Sequence, residues 1–161
     1  ILDQFERDYA RAAVSLEWLR DRYPNNAVFH VAQGRLYAKW GRLAEAGVIL
    51  QEVAERQVDG KVGYTGAVAQ ESLYWLARIE MAQGRHEQAL QVLDRLEFLA
   101  SERTYDAYYQ AVGRLRRGMA LDALGRRDEA VRCYREVLEM AGAGDARDRA
   151  REFLDRAYRA G

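Results

Sequence analysis

A six-residue pattern, Gly-Arg followed by three residues and Ala, occurs three times in this chain. It reads Gly41-Arg42-Leu43-Ala44-Glu45-Ala46, then Gly84-Arg85-His86-Glu87-Gln88-Ala89, then Gly125-Arg126-Arg127-Asp128-Glu129-Ala130. The copies begin 43 and then 41 residues apart. A near-constant period built on a helix-turn-helix unit predicts a solenoid, because each unit hides its apolar face only by stacking on its neighbours. The helical character comes from the residues between the copies. Ala, Leu, Arg, Glu and Gln dominate, β-branched residues are sparse, and Pro24 is the single proline of 161 residues. Apolar residues fall at helical spacing, as in the stripe Leu90, Leu93, Leu96, Leu99 and again in Val131, Tyr134, Leu138.

This patterning predicts helices over 3–22, 27–40, 42–57, 67–83, 85–100, 104–124, 126–141 and 145–159. Asn26, Thr104 and Asp145 stand where N-caps are needed. Gly41, Gly84 and Gly125 stand where one helix must stop and the next begin, which calls for a left-handed residue.

The residues around the repeated pattern resemble the tetratricopeptide repeat (TPR) family. The first full unit follows the junction Pro24-Asn25-Asn26-Ala27 and offers Gly34, Tyr37, Ala46 and Leu50. The second offers Leu73, Leu76, Ala77, Ala89 and Leu93; the third offers Gly118, Leu121, Ala130 and Tyr134. Ala12, Leu16, Leu19 and Pro24 match the second half of a further unit. Departures accompany the match. The units exceed the usual length of about 34 residues, His30 stands at the Trp position, Glu80 at the Tyr position, and Arg114 and Arg117 at the Trp and Leu positions. The resemblance implies an all-α, right-handed superhelical solenoid of helical hairpins in a single domain. The expected parts are a half repeat over 1–24, repeats over 25–66, 67–103 and 104–144, and a capping helix over 145–161. Gly34, Ala77 and Gly118 are the small residues expected to let the two helices of a hairpin approach closely.

Charge and composition narrow the function. Lys+Arg and Asp+Glu both number 25, so the basic surplus of a nucleic-acid binder is missing. RNA reading by related helical repeats needs such a surface and a different period. No apolar run approaches the roughly 20 residues of a membrane span, so direct membrane insertion is not expected. No charged-then-apolar leader follows Ile1, which makes the cytoplasm the default compartment; a first residue other than Met reads as a cut-out or processed piece, from which a targeting signal could have been lost. Cys133 is the single cysteine, without a CxxC partner or zinc-type spacing. No cofactor and no metal are expected, and nothing reads as catalytic. His86 beside Glu87 reads as surface, His30 as a buried hydrogen-bonded imidazole, and Cys133 as inert. Gly60, Gly63 and Gly66 read as a flexible connector.

The resemblance therefore implies a non-catalytic protein-interaction scaffold. The family lines its inner surface with the first helix of each hairpin. The corresponding positions are Val28, Val31, Arg35 and Ala38; Glu71, Tyr74, Arg78 and Met81; and Val112, Leu115, Met119 and Asp122, with Trp75 and Arg116 beside them. Val31, Arg35, Tyr74, Trp75, Arg78, Leu115, Arg116 and Met119 are the candidate partner-binding residues. A groove with apolar members and spaced arginines suits a peptide or helix that carries apolar anchors and acidic groups. The other reading is that neighbouring helices cover the apolar members. The Lys and Asn clamp of the family's chaperone-tail binders does not carry over, because Val31 and Arg35 occupy two of its positions. Tyr105, Tyr108 and Tyr109 form an aromatic cluster that reads as core, with a second contact patch as the alternative. An accessory recruiting or sensing domain of a larger enzyme or transcriptional regulator is the rival function, and homo-oligomerisation stays open.

Overall fold

A computed structural model describes residues 2–101 and 107–159. Eight helices account for nearly all of them: α1 (Leu2–Arg22), α2 (Ala27–Lys39), α3 (Leu43–Val58), α4 (Gly66–Ala82), α5 (His86–Ser101), α6 (Ala107–Ala123), α7 (Arg127–Glu139) and α8 (Ala146–Asp155). There is no strand among the described residues. The chain divides into two compact units, Ile1–Trp75 and Leu76–Gly161.

The repeated pattern works as one piece of backbone chemistry. Gly41, Gly84 and Gly125 have φ of 84°, 72° and 74°, the left-handed region where a Cβ is costly. Each elbow closes with the same two hydrogen bonds. Arg42 N–H donates to Tyr37 O and Gly41 N–H to Ala38 O; the same pair links Arg85 to Glu80 and Gly84 to Met81, and Arg126 to Leu121 and Gly125 to Asp122. That is the Schellman closure, which satisfies the last carbonyls of a helix. The arginine then starts the next helix: the carbonyls of Arg42, Arg85 and Arg126 accept from the amides of Ala46, Ala89 and Ala130. Those three alanines are fully buried.

Within the first unit α1 packs on α2 and α2 on α3. A Cβ added to Gly34 would lie 2.6 Å from Leu50 Cγ, so the missing side chain sets the distance between α2 and α3. Ser72 Oγ ties α4 to α3 by donating to Leu50 O at 2.6 Å. The expected flexible connector is instead an anchored loop. Gly60 closes α3 with a fourth Schellman pair, Lys61 N–H to Arg56 O and Gly60 N–H to Gln57 O. A Cβ on Gly63 would lie 1.8 Å from Asn25 O, so the loop is pressed against the α1–α2 junction. Tyr64 is buried there, accepting from Arg56 Nη1 at 2.6 Å and donating to Pro24 O at 3.4 Å. Glycine content suggested mobility; the buried tyrosine between the glycines overrides it.

Within the second unit α5 packs on α6, α6 on α7, and α8 on both α6 and α7. A Cβ on Gly118 would meet Tyr134 Cε1 at 2.4 Å, the same close approach as at Gly34. Leu90, Leu93, Leu96 and Leu99 are all buried. Asp122 closes the unit: its carboxylate accepts from Arg127, from Tyr134 Oη at 2.8 Å and from Tyr158 N–H at 2.8 Å, with its side chain 1% exposed. Arg127 Nη2 also donates to Phe153 O and Leu154 O, holding the end of α8.

Asn26 caps α2, its side chain accepting from Val28 N–H at 3.1 Å. Asp145 stands at the N-cap of α8 without a side-chain cap bond, so its position was legible and its role was not. Thr104 and Tyr105 lie outside the described residues.

Candidate functional site

The candidate positions separate into buried and accessible sets. Val31, Trp75, Leu115 and Met119 are 2%, 7%, 4% and 1% exposed. They are core residues, and the expectation that they line an open surface is corrected accordingly. Met81 and Val112 are buried as well. Asp122 is consumed by the network that fixes α8. For the α6 positions the cause is the frame of that helix: α5, α7 and α8 pack on it, so Val112, Leu115 and Met119 face neighbouring helices. What stays accessible on α6 is narrower, chiefly the half-buried Arg116, whose Nη1 lies 3.7 Å from Met119 Sδ, and the exposed Tyr108. Tyr108 and Tyr109 meet edge to face at 5.3 Å, and Tyr108 is not core as expected.

Arg35, Tyr74, Arg78 and Arg116 keep partial exposure. In the first unit Arg35 Nη1 bonds Glu71 Oε1 at 2.8 Å, bridging α2 and α4, with side chains 43% and 22% exposed. Both were expected to face a partner; instead they neutralise each other, so Arg35 is not an isolated cation. Val28 lies one side of that bridge, 59% exposed. Lys39 lies on the other, its Nζ 5.9 Å from the Trp75 ring, which meets Tyr74 edge-on at 6.0 Å. The surface of this unit is thus amphipathic and charge-paired. Arg78, in the second unit, is half-buried.

The remaining titratable groups serve packing. His30 is buried, its Nδ1 3.3 Å from Asn26 O, and burial pushes its pKa below the ordinary imidazole value. Cys133 is buried and its thiol is pushed up by burial, the reverse of what a reactive thiolate needs. His86 is half-buried and Glu87 exposed. Glu97 is raised by burial even beside Arg114 and Arg117. Among the described residues no group of three or more His, Cys, Asp or Glu is placed to hold a metal, and no helix is long and apolar enough to cross a membrane.

Family profiles for the tetratricopeptide repeat match residues 4–62, 50–104 and 113–143. The chain belongs to the tetratricopeptide repeat family. Two solved structures share the TPR fold of this chain, both 18% identical to it. One, titled "Crystal structure of MamA", has a TM-score of 0.61 and covers 94% of this chain and 88% of its own. The other, "Crystal structure of MamA protein", has a TM-score of 0.60 and covers 96% and 79%. No curated protein matches the sequence. As a TPR protein the chain is a helical-repeat interaction module.

Sequence reasoning missed several exposed large apolar side chains on the second helices of the first unit. Phe5, Val14 and Trp18 on α1 and Val48 on α3 are 60%, 66%, 62% and 71% exposed. Aligning the second helices on Ala12, Ala46, Ala89 and Ala130 would have found Trp18, because Glu52, Arg95 and Glu136 occupy its place in the other three.

Proposed function

We propose that this TPR chain is a non-catalytic scaffold that takes a peptide or helix of a partner protein on the accessible faces of its first helices. The partner carries apolar anchors and a few carboxylates. The observation that supports this is the bridge between Arg35 and Glu71, which crosses two first helices while staying accessible, with Val28 and Tyr74 beside it. A preset ion pair on an amphipathic surface gives a partner carboxylate a guanidinium already held in place. Arg78 and Arg116 supply the same chemistry in the second unit. The division into a half repeat over 1–24, three repeats over 25–66, 67–103 and 104–144 and a closing helix over 145–161 belongs to the same reading.

Affinity capture followed by titration of the recovered partner tests it. Tyr74→Ala and Arg78→Glu should each weaken the partner about tenfold or more, with less salt dependence in Arg78→Glu. Unchanged affinity in both variants overturns the reading.

A further inference from the structure

The outward face of α1 departs from the pattern that α5 and α7 follow. Arg7, Arg11, Val14, Trp18 and Arg22 recur at spacings of four, three, four and four residues and form one stripe along the helix. All five are exposed, Val14 by 66% and Trp18 by 62%. Asp8 lies beside the stripe, and Asp21, three residues after Trp18 and seven after Val14, lies on its edge, so the arginines outnumber the carboxylates on this face. At the places of Arg11, Val14 and Trp18, α5 carries Gln88, Gln91 and Arg95, and α7 carries Glu129, Arg132 and Glu136. Those are the side chains a water-facing surface calls for. Trp18 keeps most of its surface in water there, while the buried side of α1 uses Ala13.

The second helix of the same unit carries the opposite stripe. Glu45, Val48, Glu52 and Glu55 recur on α3 at spacings of three, four and three residues, with Val48 71% exposed and Glu45 and Glu55 exposed. Each carboxylate has a partner on its own helix edge: Arg42 for Glu45 at 2.7 Å, Arg56 for Glu52, and Gln51 for Glu55 at 2.8 Å. One face thus carries arginines around an aromatic centre, the other carboxylates around an aliphatic one, two of them ion-paired on their own helix and Glu55 held only by a neutral glutamine. Both repeat at the spacing of helix-on-helix packing.

We propose that the α1 stripe of one copy docks on the α3 stripe of a second copy. Trp18 and Val14 cover Val48, and Arg11 and Arg22 meet the glutamates. In this docking a copy that seats its α1 stripe on one neighbour offers its own α3 stripe to another, a head-to-tail contact. Each added copy leaves one stripe of each kind open, and the chain grows into an open-ended array rather than closing as a dimer.

Sedimentation velocity of the full chain across concentration and salt tests this. Weight-average mass should climb past the dimer as concentration rises, and fall when sodium chloride goes from about 50 to 500 mM. The α1-face variant Trp18→Ala/Arg11→Glu and the α3-face variant Val48→Ala/Glu55→Arg should each be monomeric alone. They change exposed residues, and far-UV circular dichroism verifies their folding; Arg22→Glu is a second, independent block of the α1 face. Copies of the α1-face variant keep a working α3 stripe and copies of the α3-face variant a working α1 stripe, so an equal mixture should give a dimer and nothing larger. A monomeric wild type overturns the proposal, as does a mixture that stays monomeric or either variant assembling as the wild type does. A monomeric wild type that sediments with phosphatidylglycerol vesicles, and loses this on Trp18→Ala, assigns the stripe to a lipid surface and overturns it equally.

Discussion

The first and last helices meet water differently. On α8 the apolar side chains turn inward: Ala146, Ala150 and Phe153 are buried, while Asp148, Arg151, Glu152 and Asp155 face solvent. Side chain-to-backbone bonds fix it, from Arg127 to Phe153 O and Leu154 O and from Arg147 to Met140 O. On α1 the inward side is held by polar side chains. Tyr37 Oη donates to Glu17 at 2.9 Å, and Arg20 bonds Gln33. Its outward side keeps Phe5, Val14 and Trp18 in water. Both helices are amphipathic, but only α8 places its largest apolar residue in the core. A closing helix needs a polar outer face; α8 has one, and the stripe on α1 fits a contact instead.

Removing the anchor of α8 is expected to have the largest effect. Asp122→Ala leaves Arg127, the Tyr134 hydroxyl and the Tyr158 amide without their shared acceptor, in a site where the carboxylate is 1% exposed. Breaking a buried charge network by one partner costs about 3–5 kcal/mol. Urea titration followed by far-UV circular dichroism measures it, and hydrogen exchange should show α8 amides opening faster than those of α5. No comparable substitution exists on the outward face of α1.

Next come the two close approaches, one in each unit. Gly118→Ala and Gly34→Ala both place a methyl inside a neighbouring side chain, and overpacking of this kind costs about 1–3 kcal/mol. Gly118→Ala should be the worse. Tyr134 is held by its bond to Asp122 and packed at a tilt against Phe153, the ring centroids 5.6 Å apart, so its ring has little room to retreat. Leu50 has no polar tether on its side chain and can change rotamer. Equal denaturation midpoints in the two variants would break this distinction.

These glycines also show how far the sequence was legible. The elbow glycines announce themselves because a left-handed turn admits few other residues, and the three buried alanines and Gly34 and Gly118 because close helix packing does. The groove was less legible. Val31, Leu115 and Met119 sit at positions a repeat leaves open in general, and here neighbouring helices cover them, which no local pattern encodes. Arg35 and Glu71 were both visible as polar positions, but their pairing joins helices 36 residues apart. Trp18 was missed for the opposite reason: an apolar residue on an amphipathic helix reads as core until its register is compared with the other second helices.

The α1 side should also respond to acid. His30 is buried in contact with Tyr64 at 5.9 Å, with Arg20 and Arg56 adding to the desolvation that lowers its pKa below 6.5. The folded state therefore favours the neutral ring. Its contribution to stability is complete above the unfolded value of 6.5 and is lost as pH falls from there through the folded value. His30→Gln should flatten the pH dependence of the urea midpoint between about pH 7 and 5. An unchanged slope would remove His30 as its source.

The smallest expected effect on stability is the one that most sharpens the contrast between the two helices. Trp18→Ala removes a side chain that is 62% exposed, and surface changes of this kind fall within about 0.5 kcal/mol of neutral. Phe153→Ala on α8 removes one that is 7% exposed and packs against Tyr134 and Tyr158, at a cost of about 3–5 kcal/mol. Both urea midpoints should be measured in dilute protein, where any gain from association is small. At high concentration the wild-type midpoint should rise by mass action while that of Trp18→Ala stays fixed. A large loss from Trp18→Ala in dilute protein would mean that this tryptophan holds the fold, and the stripe on α1 would then be structural.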